Sequence, residues 1–504
     1  MKRILTLAGL CLASLSFASA ASAIDIGSRL ELLVDDYLIE KISGGARLQM
    51  HHPVRQNVAL VTDQAWEGNA CHYRTVFQDG DRYRMYYGAY QYDVTATGQT
   101  YSHEAFLCYA ESRDGIHFER PNLGLVEFQG SRNNNIILTE KTLKAIEADP
   151  GHAAIFKDGN PDSPADARYK MIIRSNGEKG LFALKSPDGI RFTEMTDKVV
   201  ISEGAFDSQN LAFWDPHQGQ YRAYFRGFNE KVRDILTATS PDFLNWTKPV
   251  WLEYPGAPRE HLYTNQLRPY YRSPHILIGF PMRYTDRGRT ESTWRLPGAE
   301  VRQHRAQVSQ RYGTTVTDAL LMTGRDRLSF KRWGEAFIRP GPSRINSWVY
   351  GDNSIAWGIV ETVSDLPESP RELSIYVVEG YWTGSSLNVR RYSLRMDGFV
   401  SLQAPLSGGE MVTKPLRFQG GKLLLNYSSS GGGGLWVELQ DEQGRPIKGF
   451  AQADADEVFG DHIEGSVSWK GNQDVSSLVG KSVRIRFILK DADLYSFRFG
   501  GKSK

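Results

Sequence analysis

The stretch Ser112-Arg113-Asp114-Gly115-Ile116-His117-Phe118 returns along this chain and decides its fold. Close copies occupy residues 186–192 and 240–246, and looser copies occupy 324–330 and 396–399. Each copy combines an Asp-centred tight turn with an aromatic residue, which is typical of an antiparallel hairpin. Repetition at this spacing indicates repeated supersecondary units. Five copies predict a five-bladed β-propeller with one four-stranded sheet in each blade.

A second pattern precedes the Asp turn in each unit: a hydrophobic run, a turn and another hydrophobic run. In the first unit these are residues 75–77, Asp79-Gly80-Asp81 and residues 83–87. Runs of β-branched and aromatic residues bounded by Gly, Pro and Asp predict strands. Helical periodicity is confined to a short stretch near residues 140–148. The first strands of the units are predicted near residues 70–77, 152–156, 208–213, 262–268 and 353–360.

The repeat is absent after about residue 408, and the pattern of residue types along the chain changes there. Alternating segments such as 423–427 and 483–489 are typical of a β-sandwich, and the Ser/Gly run 428–434 is predicted to be a loop between strands. The chain is therefore predicted to be all-β. It would comprise a signal peptide at 1–23, a five-bladed propeller at 24–407 and a C-terminal β-sandwich at 408–504.

The first residues have the pattern of an export signal. Lys2 and Arg3 precede a mostly apolar run, and Ala21-Ser22-Ala23 provides a small-residue cleavage site. The mature protein is expected to be periplasmic or secreted. Cys71 and Cys108 fall on a first and a third strand of one blade, so an intervening strand would hold them too far apart for a disulfide. We predict free thiols.

Composition narrows the range of partners. Without Lys2 and Arg3 the chain has 58 basic and 58 acidic residues, which argues against nucleic acid or an anionic membrane surface. Aromatic residues make up 12% of the sequence and suit sugar-binding clefts. We expect a carbohydrate partner, no nucleic acid, no membrane, and a monomer or small homo-oligomer. The cysteines have no metal-binding spacing, so we expect no cofactor.

The strand–turn–strand units with their Ser-x-Asp-Gly-x-x-Phe phrases resemble the five-bladed propeller glycoside hydrolases of families 32 and 43. The Asp turn is also similar to the sialidase Asp-box, a structural device in that family. Propellers of this kind sometimes hold Ca²⁺, which leaves structural Ca²⁺ open here. The chain departs from family 32 in two motifs: residues 65–69 offer Glu67 where the family has its Asp nucleophile, and Trp214 replaces the Arg before Asp215-Pro216. The resemblance therefore implies a divergent member of these families, and it does not identify a substrate.

In a propeller the first strand of each blade points its start at the central cavity, so the polar residues there are candidate site residues. Glycoside cleavage needs a carboxylic acid and a second carboxylate that attacks or activates water. Glu67, Asp207 and Glu260 meet this need, with Glu260 predicted as the acid and Asp207 or Glu67 as base or nucleophile. Substrate binding is predicted for Trp66, Asn69, His72, His152, Asn210, His261, Asn265, Tyr350 and Asp352.

Each of these assignments has an open alternative. The carboxylates could cap turns or pair with nearby arginines. His72, His152 and His261 could instead converge on a metal ion. The preferred function is a secreted glycoside hydrolase that cleaves a plant or algal poly- or oligosaccharide by carboxylate acid/base chemistry. A non-catalytic carbohydrate-binding propeller is the main alternative, and a metal-dependent lyase or a phosphorylase is a third.

Overall fold

The computed structural model describes residues 23–143 and 146–501. This part of the chain is built almost entirely from strands, so the predicted all-β class is confirmed. The predicted signal peptide lies outside the described residues, except for Ala23. In the ranges described, no helix is long and apolar enough to cross a membrane.

Five antiparallel sheets of four strands follow one another along the chain. The first consists of Thr75–Asp79, Arg82–Ala89, Phe106–Ser112 and Ile136–Leu138. The second consists of Ala154–Lys157, Tyr169–Arg174, Leu181–Ser186 and Thr193–Glu194. The third consists of Leu211–Asp215, Gln220–Asn229, Val232–Ser240 and Val250–Trp251. The fourth consists of Arg268–Tyr270, Ser273–Gly279, Met322–Gly324 and Phe330–Arg332.

The fifth sheet is assembled from both ends of this region. Its strands are Val360–Thr362, Glu372–Glu379, Asn388–Leu394 and Val54–Val61. The outer strand, Val54–Val61, precedes the first sheet in sequence yet pairs antiparallel with Asn388–Leu394. This pairing joins the start of the repeat region to its end.

The segments at the starts of the first strands meet one another. Val76 N–H donates to the Trp357 carbonyl (2.9 Å), and Trp357 N–H donates to the Arg74 carbonyl (2.7 Å), which links the first and fifth units. The Gln266 amide donates to Gln209 Oε1 at 2.8 Å, which links the fourth and third units. The strands themselves begin later in the chain than predicted, so the residues before them form irregular loops at one end of the sheets.

The Asp turns act as structural devices, as predicted. Asp114 Oδ1 accepts hydrogen bonds from the backbone N–H groups of Ile116 (2.7 Å) and His117 (2.9 Å). The same pair of bonds forms at Asp188, Asp242 and Asp326. Gly115 follows the Asp with a φ of 72°, a left-handed conformation in which glycine is unstrained. The looser fifth copy differs, because its Asp397 is buried and forms an ion pair with Arg272 at 3.0 Å.

Buried side chains tie neighbouring sheets together. The Tyr169 hydroxyl of the second sheet donates to Asp79 of the first at 2.6 Å, and the Tyr221 hydroxyl of the third donates to Asp158 at 2.7 Å. The third sheet is tied to the fourth unit through an ion pair between Asp215 and Arg327 at 2.8 Å. These aspartates lie at hairpin turns, and their contacts give them a structural role.

A smaller three-stranded sheet is inserted in the fourth unit. Its strands are His261–Leu262, Met282–Asp286 and Thr315–Ala319. Three helices lie between its last two strands: α1 (Glu291–Trp294), α2 (Ala299–Val308) and α3 (Gln310–Thr314). A hairpin of Tyr92–Thr95 and Gly98–Tyr101 lies beside α2. The sequence did not predict these helices, because the buried side of α2 carries two arginines and the segment has no apolar stripe.

The remaining strands form an eight-stranded C-terminal sheet together with a short parallel pair. The sheet contains Glu31–Leu32, Ile39–Gly44, Arg47–Met50, Val400–Ala404, Gly409–Thr413, Lys422–Gln440, Asp461–Ser466 and Arg484–Gly500. The parallel pair is Ile24–Gly27 with Leu416–Phe418. Residues 24–50, which the sequence analysis assigned to the propeller, thus pair with C-terminal strands, since strand periodicity does not identify a partner. That residues 408–504 form a β-sandwich stays a prediction.

The Ser/Gly run 428–434 corrects a second expectation. It lies inside the single strand Lys422–Gln440 and forms a bulge there: Ser429 pairs with Ala492, and Gly434 pairs with Lys490. It is therefore an interruption of pairing within one strand, not a loop between two. Cys71 and Cys108 are both buried and unpaired, as predicted.

Candidate functional site

Aromatic and histidine rings gather where the loops before the first strands converge. We call this group the aromatic basin. The His72 ring lies 6.2 Å from that of His152, and the Tyr73 ring lies 5.1 Å from His152. Tyr263, Tyr284 and Tyr350 continue the group, with ring centroids 5.9 to 6.2 Å apart. The basin consists of His72, Tyr73, Tyr90, His152, Tyr263, Tyr284, Tyr350 and Tyr381.

Tyr73 occupies a strained backbone conformation at the edge of the first strand. Its φ of 53° lies in the left-handed region, which a bulky residue rarely adopts. The conformation places its ring 3.7 Å from that of His72. Strain of this kind is often found at functional sites, where the surrounding structure holds it in place.

Asp207 is the exposed acidic group of the basin, and 62% of its side chain is accessible. Its Oδ1 lies 3.3 Å from His152 Nε2, and its Oδ2 lies 3.5 Å from Arg226. Burial raises the pKa of Asp207, but the contact with His152 and the neighbouring positive charges outweigh that effect and hold the pKa well below its ordinary value. The group is therefore an accessible carboxylate that stays ionised.

Asp149 orients His152 toward Asp207. Its Oδ1 accepts the N–H of Gly151 at 3.1 Å and caps the short turn Pro150–His152, while its Oδ2 lies 2.9 Å from His152 Nδ1. Burial lowers the pKa of His152, but the two flanking carboxylates reverse this and raise it overall. The imidazole is thus held between two negative groups, with one ring nitrogen facing each.

Asp352 provides a second kind of carboxyl beside the basin. It lies two residues after Tyr350 and is 4% exposed. Its Oδ1 accepts the N–H groups of Gly380 and Tyr381, both at 2.8 Å. Burial raises the pKa of Asp352 to about 7, although these two hydrogen bonds act in the opposite direction. Environments that push two carboxyl pKa values apart are typical of acid/base pairs.

The raised pKa of Asp352 makes stability depend on pH. Below about pH 4 both the folded and unfolded chains hold this proton, and between about pH 4 and pH 7 only the folded chain does. We expect wild-type stability to fall relative to Asp352→Asn by about 1.4 kcal/mol per pH unit across that window. Asn can still accept both backbone hydrogen bonds. Urea unfolding of both proteins at several pH values measures the difference, and parallel profiles would contradict it.

Glu67 is closed off from the basin. Its side chain is 0% exposed and receives two hydrogen bonds of 2.8 Å from Arg120. The Tyr87 hydroxyl also donates to it, at 2.5 Å. Glu67 is therefore held in a buried site, whereas Asp207 is exposed, and the catalytic role of Glu67 stays a prediction. The sequence left open that Glu67 pairs with an arginine. The structure shows such a pair, with Arg120 as the partner.

Glu260 faces a different cavity. It forms ion pairs with Arg283 (3.1 Å) and with Arg332. Arg283 also binds Asp318 at 2.7 Å, so it bridges two carboxylates. Glu260, Arg283 and Asp318 line a cleft of about 910 Å³ beside the helical insertion, together with Trp348 and other residues. Its role as the catalytic acid stays a prediction.

The other predicted binding residues divide into structural and basin positions. Asn69 and Asn265 are buried and bonded to backbone, Asn69 to Tyr92 N–H and O and Asn265 to Leu267 N–H. Asn210 is buried and donates to the carbonyls of residues 206 and 208, while its Oδ1 has no partner among the described residues. The indole of Trp66 donates to Asn135. His72, His152 and Tyr350 belong to the basin, and His261 lies beside it.

His261 lies at the margin of the basin, and its Nδ1 accepts the N–H of Arg233 at 3.0 Å. Its ring is 5.8 Å from that of Tyr284. Burial lowers its pKa. Across residues 23–143 and 146–501, no three His, Cys, Asp or Glu side chains are grouped as a metal site requires.

Several residues of the basin were missed by sequence reasoning. Tyr73 and Tyr381 look like ordinary strand aromatics in the sequence, and Arg226, which lies beside the basin, is in the middle of a hydrophobic strand. A usable signal did exist at Asp149-Pro150-Gly151-His152, where an Asp three residues before a His can cap a turn and hold the ring.

Comparison with known proteins gives similarity to solved structures only. No family model matches the sequence. No curated protein matches it significantly. A glycoside hydrolase structure is similar at 13% identity and a TM-score of 0.41, over 68% of this chain and 92% of that one. The catalytic domain of Coprinopsis cinerea GH62 alpha-L-arabinofuranosidase is similar at 8% identity and 0.42, over 69% and 99%. A glycosyl hydrolase from Bacteroides ovatus is similar at 15% identity and 0.39, over 70% and 96%.

Proposed function

We propose that this protein is a glycoside hydrolase and that the aromatic basin is its active site. The observation that carries the proposal is the environment of Asp207, an exposed carboxylate kept ionised within a ring of histidine and tyrosine side chains. Tyrosine faces suit the apolar faces of sugar rings, while hydroxyl and imidazole groups suit their hydroxyls.

The proposal assigns opposite tasks to two carboxyls. Asp207 attacks the anomeric carbon or removes a proton from the attacking water. Asp352, which the sequence analysis assigned to substrate binding, donates its proton to the leaving oxygen as the glycosidic bond breaks, since its pKa of about 7 lets it carry that proton near neutrality. Tyr350 lies near both groups: burial, and to a smaller extent the charge of Asp207, raise the pKa of Tyr350, and Asp352 follows it by two residues.

His152 and Asp149 are positioning residues in this scheme. The Asp149 cap fixes the turn that carries His152, and His152 then fixes the carboxylate of Asp207. Arg174 and Arg226 keep the same carboxylate ionised by their charge.

The finer assignments are part of the same proposal. We infer that the five four-stranded sheets are the blades of a propeller closed by the strand Val54–Val61, with a C-terminal sandwich beside it. The chain would then be a divergent relative of the family 32 and family 43 propeller hydrolases. It would be exported and would act on plant or algal polysaccharide. The difference between Asp207, which stays ionised, and Asp352, whose raised pKa lets it carry a proton, favours catalysis over a non-catalytic binding propeller, because binding alone does not require such a proton donor.

The identity of the acid is tested with two substrates that differ in leaving group. A panel of polysaccharides and aryl glycosides first identifies a cleaved sugar. Asp352→Asn is then expected to lose most activity on the polysaccharide, about 100-fold or more, and to keep much more on an aryl glycoside whose phenol leaves without a proton. Wild-type activity is expected to fall above about pH 7 as Asp352 ionises.

Glu260→Gln is the matched comparison, because it removes the acid predicted from sequence and lies in the neighbouring cleft. It is expected to retain activity on both substrates. If Glu260→Gln shows the leaving-group dependence and Asp352→Asn does not, Glu260 is the acid and the site extends into that cleft. Binding of a polysaccharide without release of products would instead favour the non-catalytic alternative.

A further inference from the structure

Three arginines follow one wall of the aromatic basin in a continuous line. The guanidinium of Arg226 lies 4.7 Å from the ring of Tyr263, and that of Arg233 lies 5.3 Å from the same ring. Arg233 also lies 4.4 Å from the ring of Tyr284. Arg311 of α3 packs at 4.7 Å on Tyr312 and lies next to Tyr284 and Tyr350.

We call Arg226, Arg233 and Arg311 the arginine wall. The carboxylates near them are too few to neutralise their positive charge. Within the described ranges, neither Arg233 nor Arg311 forms an ion pair with a carboxylate, and the one acidic partner of Arg226 is Asp207 at 3.5 Å. By contrast, Arg174, which also lies near Asp207, is paired with Asp149 at 2.8 Å. Positive charge at the wall therefore exceeds what the protein itself neutralises.

Donor groups at the wall are also unsatisfied. Nε of Arg233 and one terminal nitrogen of Arg226 are buried and have no hydrogen-bond partner among the residues described. Arg226 as a whole is 4% exposed. A buried donor without a partner costs free energy, and such groups in folded proteins usually have an ion, water or ligand as partner.

We propose that the sugar bound in the basin is anionic, and that the arginine wall binds its carboxylate or sulfate group. This inference rests on the proposed function, since it assumes that the basin takes a glycan. Guanidinium groups present several N–H donors in a plane and bind carboxylate and sulfate oxygens with two bonds at once. The rings of Tyr263 and Tyr284 pack against these cations and hold their guanidinium groups along the wall.

The order of groups along the wall places the anion relative to the reacting bond. Asp207 would repel a second negative charge, whereas Arg226 lies between Asp207 and the ring of Tyr263 and offsets it. The free cations, Arg233 and Arg311, lie beyond Tyr263 near Tyr284. The charged substituent is therefore bound on the Arg233 side of the basin and not against Asp207.

Paired polysaccharides test this without requiring turnover. The probes are polygalacturonate and its carboxyl-reduced form, and a sulfated galactan and its desulfated form. Affinity electrophoresis compares the retardation of the wild-type protein in gels containing each polymer. We expect an acidic member of one pair to bind at least tenfold more tightly than its neutral counterpart, with affinity that falls as salt is added. The pair that shows the preference distinguishes carboxylate from sulfate.

Variants locate the binding groups. Arg233→Gln is expected to weaken binding of the acidic polymer by about tenfold or more, because it removes a charged hydrogen-bond donor. Arg132→Gln, at an exposed position on a loop, is the control and is expected to bind like the wild type. An unchanged affinity for Arg233→Gln, despite preference for the acidic polymer, would show that the arginine wall is not the anion site.

The outcomes separate this inference from the proposed function. Equal binding or cleavage of the neutral and acidic members would overturn the anionic substrate and leave the hydrolase intact. If none of the four polymers is bound or cleaved, the result would count against the anionic substrate and also against the proposed hydrolase function. Cleavage of neutral glycans alone, found in the wider panel, would also overturn the inference.

Discussion

Replacing Asp207 by asparagine is expected to lower kcat/KM on any cleaved glycan by about 100- to 10,000-fold, because an amide can neither attack the anomeric carbon nor accept the proton of water. The Asp207 carboxylate contacts the side chains of His152 and Arg226, and most of its surface is exposed to solvent. The substitution should therefore leave the fold intact. Steady-state kinetics together with a thermal melt of the variant measure both effects.

Asp166→Asn is the control for this substitution. Asp166 has a similarly exposed side chain, at 60%, and pairs with Lys185 at 2.6 Å on the outer part of the second sheet. It is expected to keep wild-type activity. If Asp207→Asn retains more than a tenth of the wild-type rate, Asp207 is not the reacting carboxylate and the basin needs another assignment.

The largest effect on stability is expected at the Asp215–Arg327 ion pair. Both side chains are 0% exposed, and Arg327 donates two hydrogen bonds to the carboxylate, at 2.8 and 3.1 Å. The pair ties the third sheet to the Asp turn of the fourth. Asp215→Asn leaves a buried guanidinium without its counter-charge, which costs about 3–5 kcal/mol. Urea unfolding followed by tyrosine and tryptophan fluorescence measures the loss.

An exposed ion pair in a corresponding turn provides the comparison. Arg191 pairs with Asp188 at 3.0 Å, with side chains 68% and 39% exposed. Arg191→Gln is expected to cost less than about 1 kcal/mol, because water already solvates both charges. Equal losses for Asp215→Asn and Arg191→Gln would mean that burial does not determine the strength of these pairs.

Local chemistry explains the parts of the fold that the sequence could predict. The Asp turns recur because each needs only a carboxylate, two backbone N–H groups and a residue that tolerates the turn, all within a few positions. The convergence of His72, His152 and Asp207 followed from their shared place before first strands. Neither inference required knowledge of distant partners.

Long-range pairing explains the parts that could not be predicted. Glu67 is buried by Arg120, which lies 53 residues away, and nothing near either residue indicates the contact. Glu260 is paired in the same way with Arg332, 72 residues away. Residues 24–50 look like any other strands, yet they pair with a sheet more than 350 residues away along the chain. Sequence alone identifies groups able to do acid/base chemistry but not which of them are already neutralised.

Hydrolysis of a glycosidic bond in the basin is tested by mass spectrometry of the products formed in isotopically labelled water. Hydrolysis places one oxygen of water at the anomeric carbon of the released sugar. We expect one labelled oxygen at each new reducing end, and product from Asp207→Asn lower by about 100-fold or more. An unsaturated product without label would indicate a lyase, and a sugar phosphate formed only with added phosphate would indicate a phosphorylase. Either result would show that the protein is not a glycoside hydrolase.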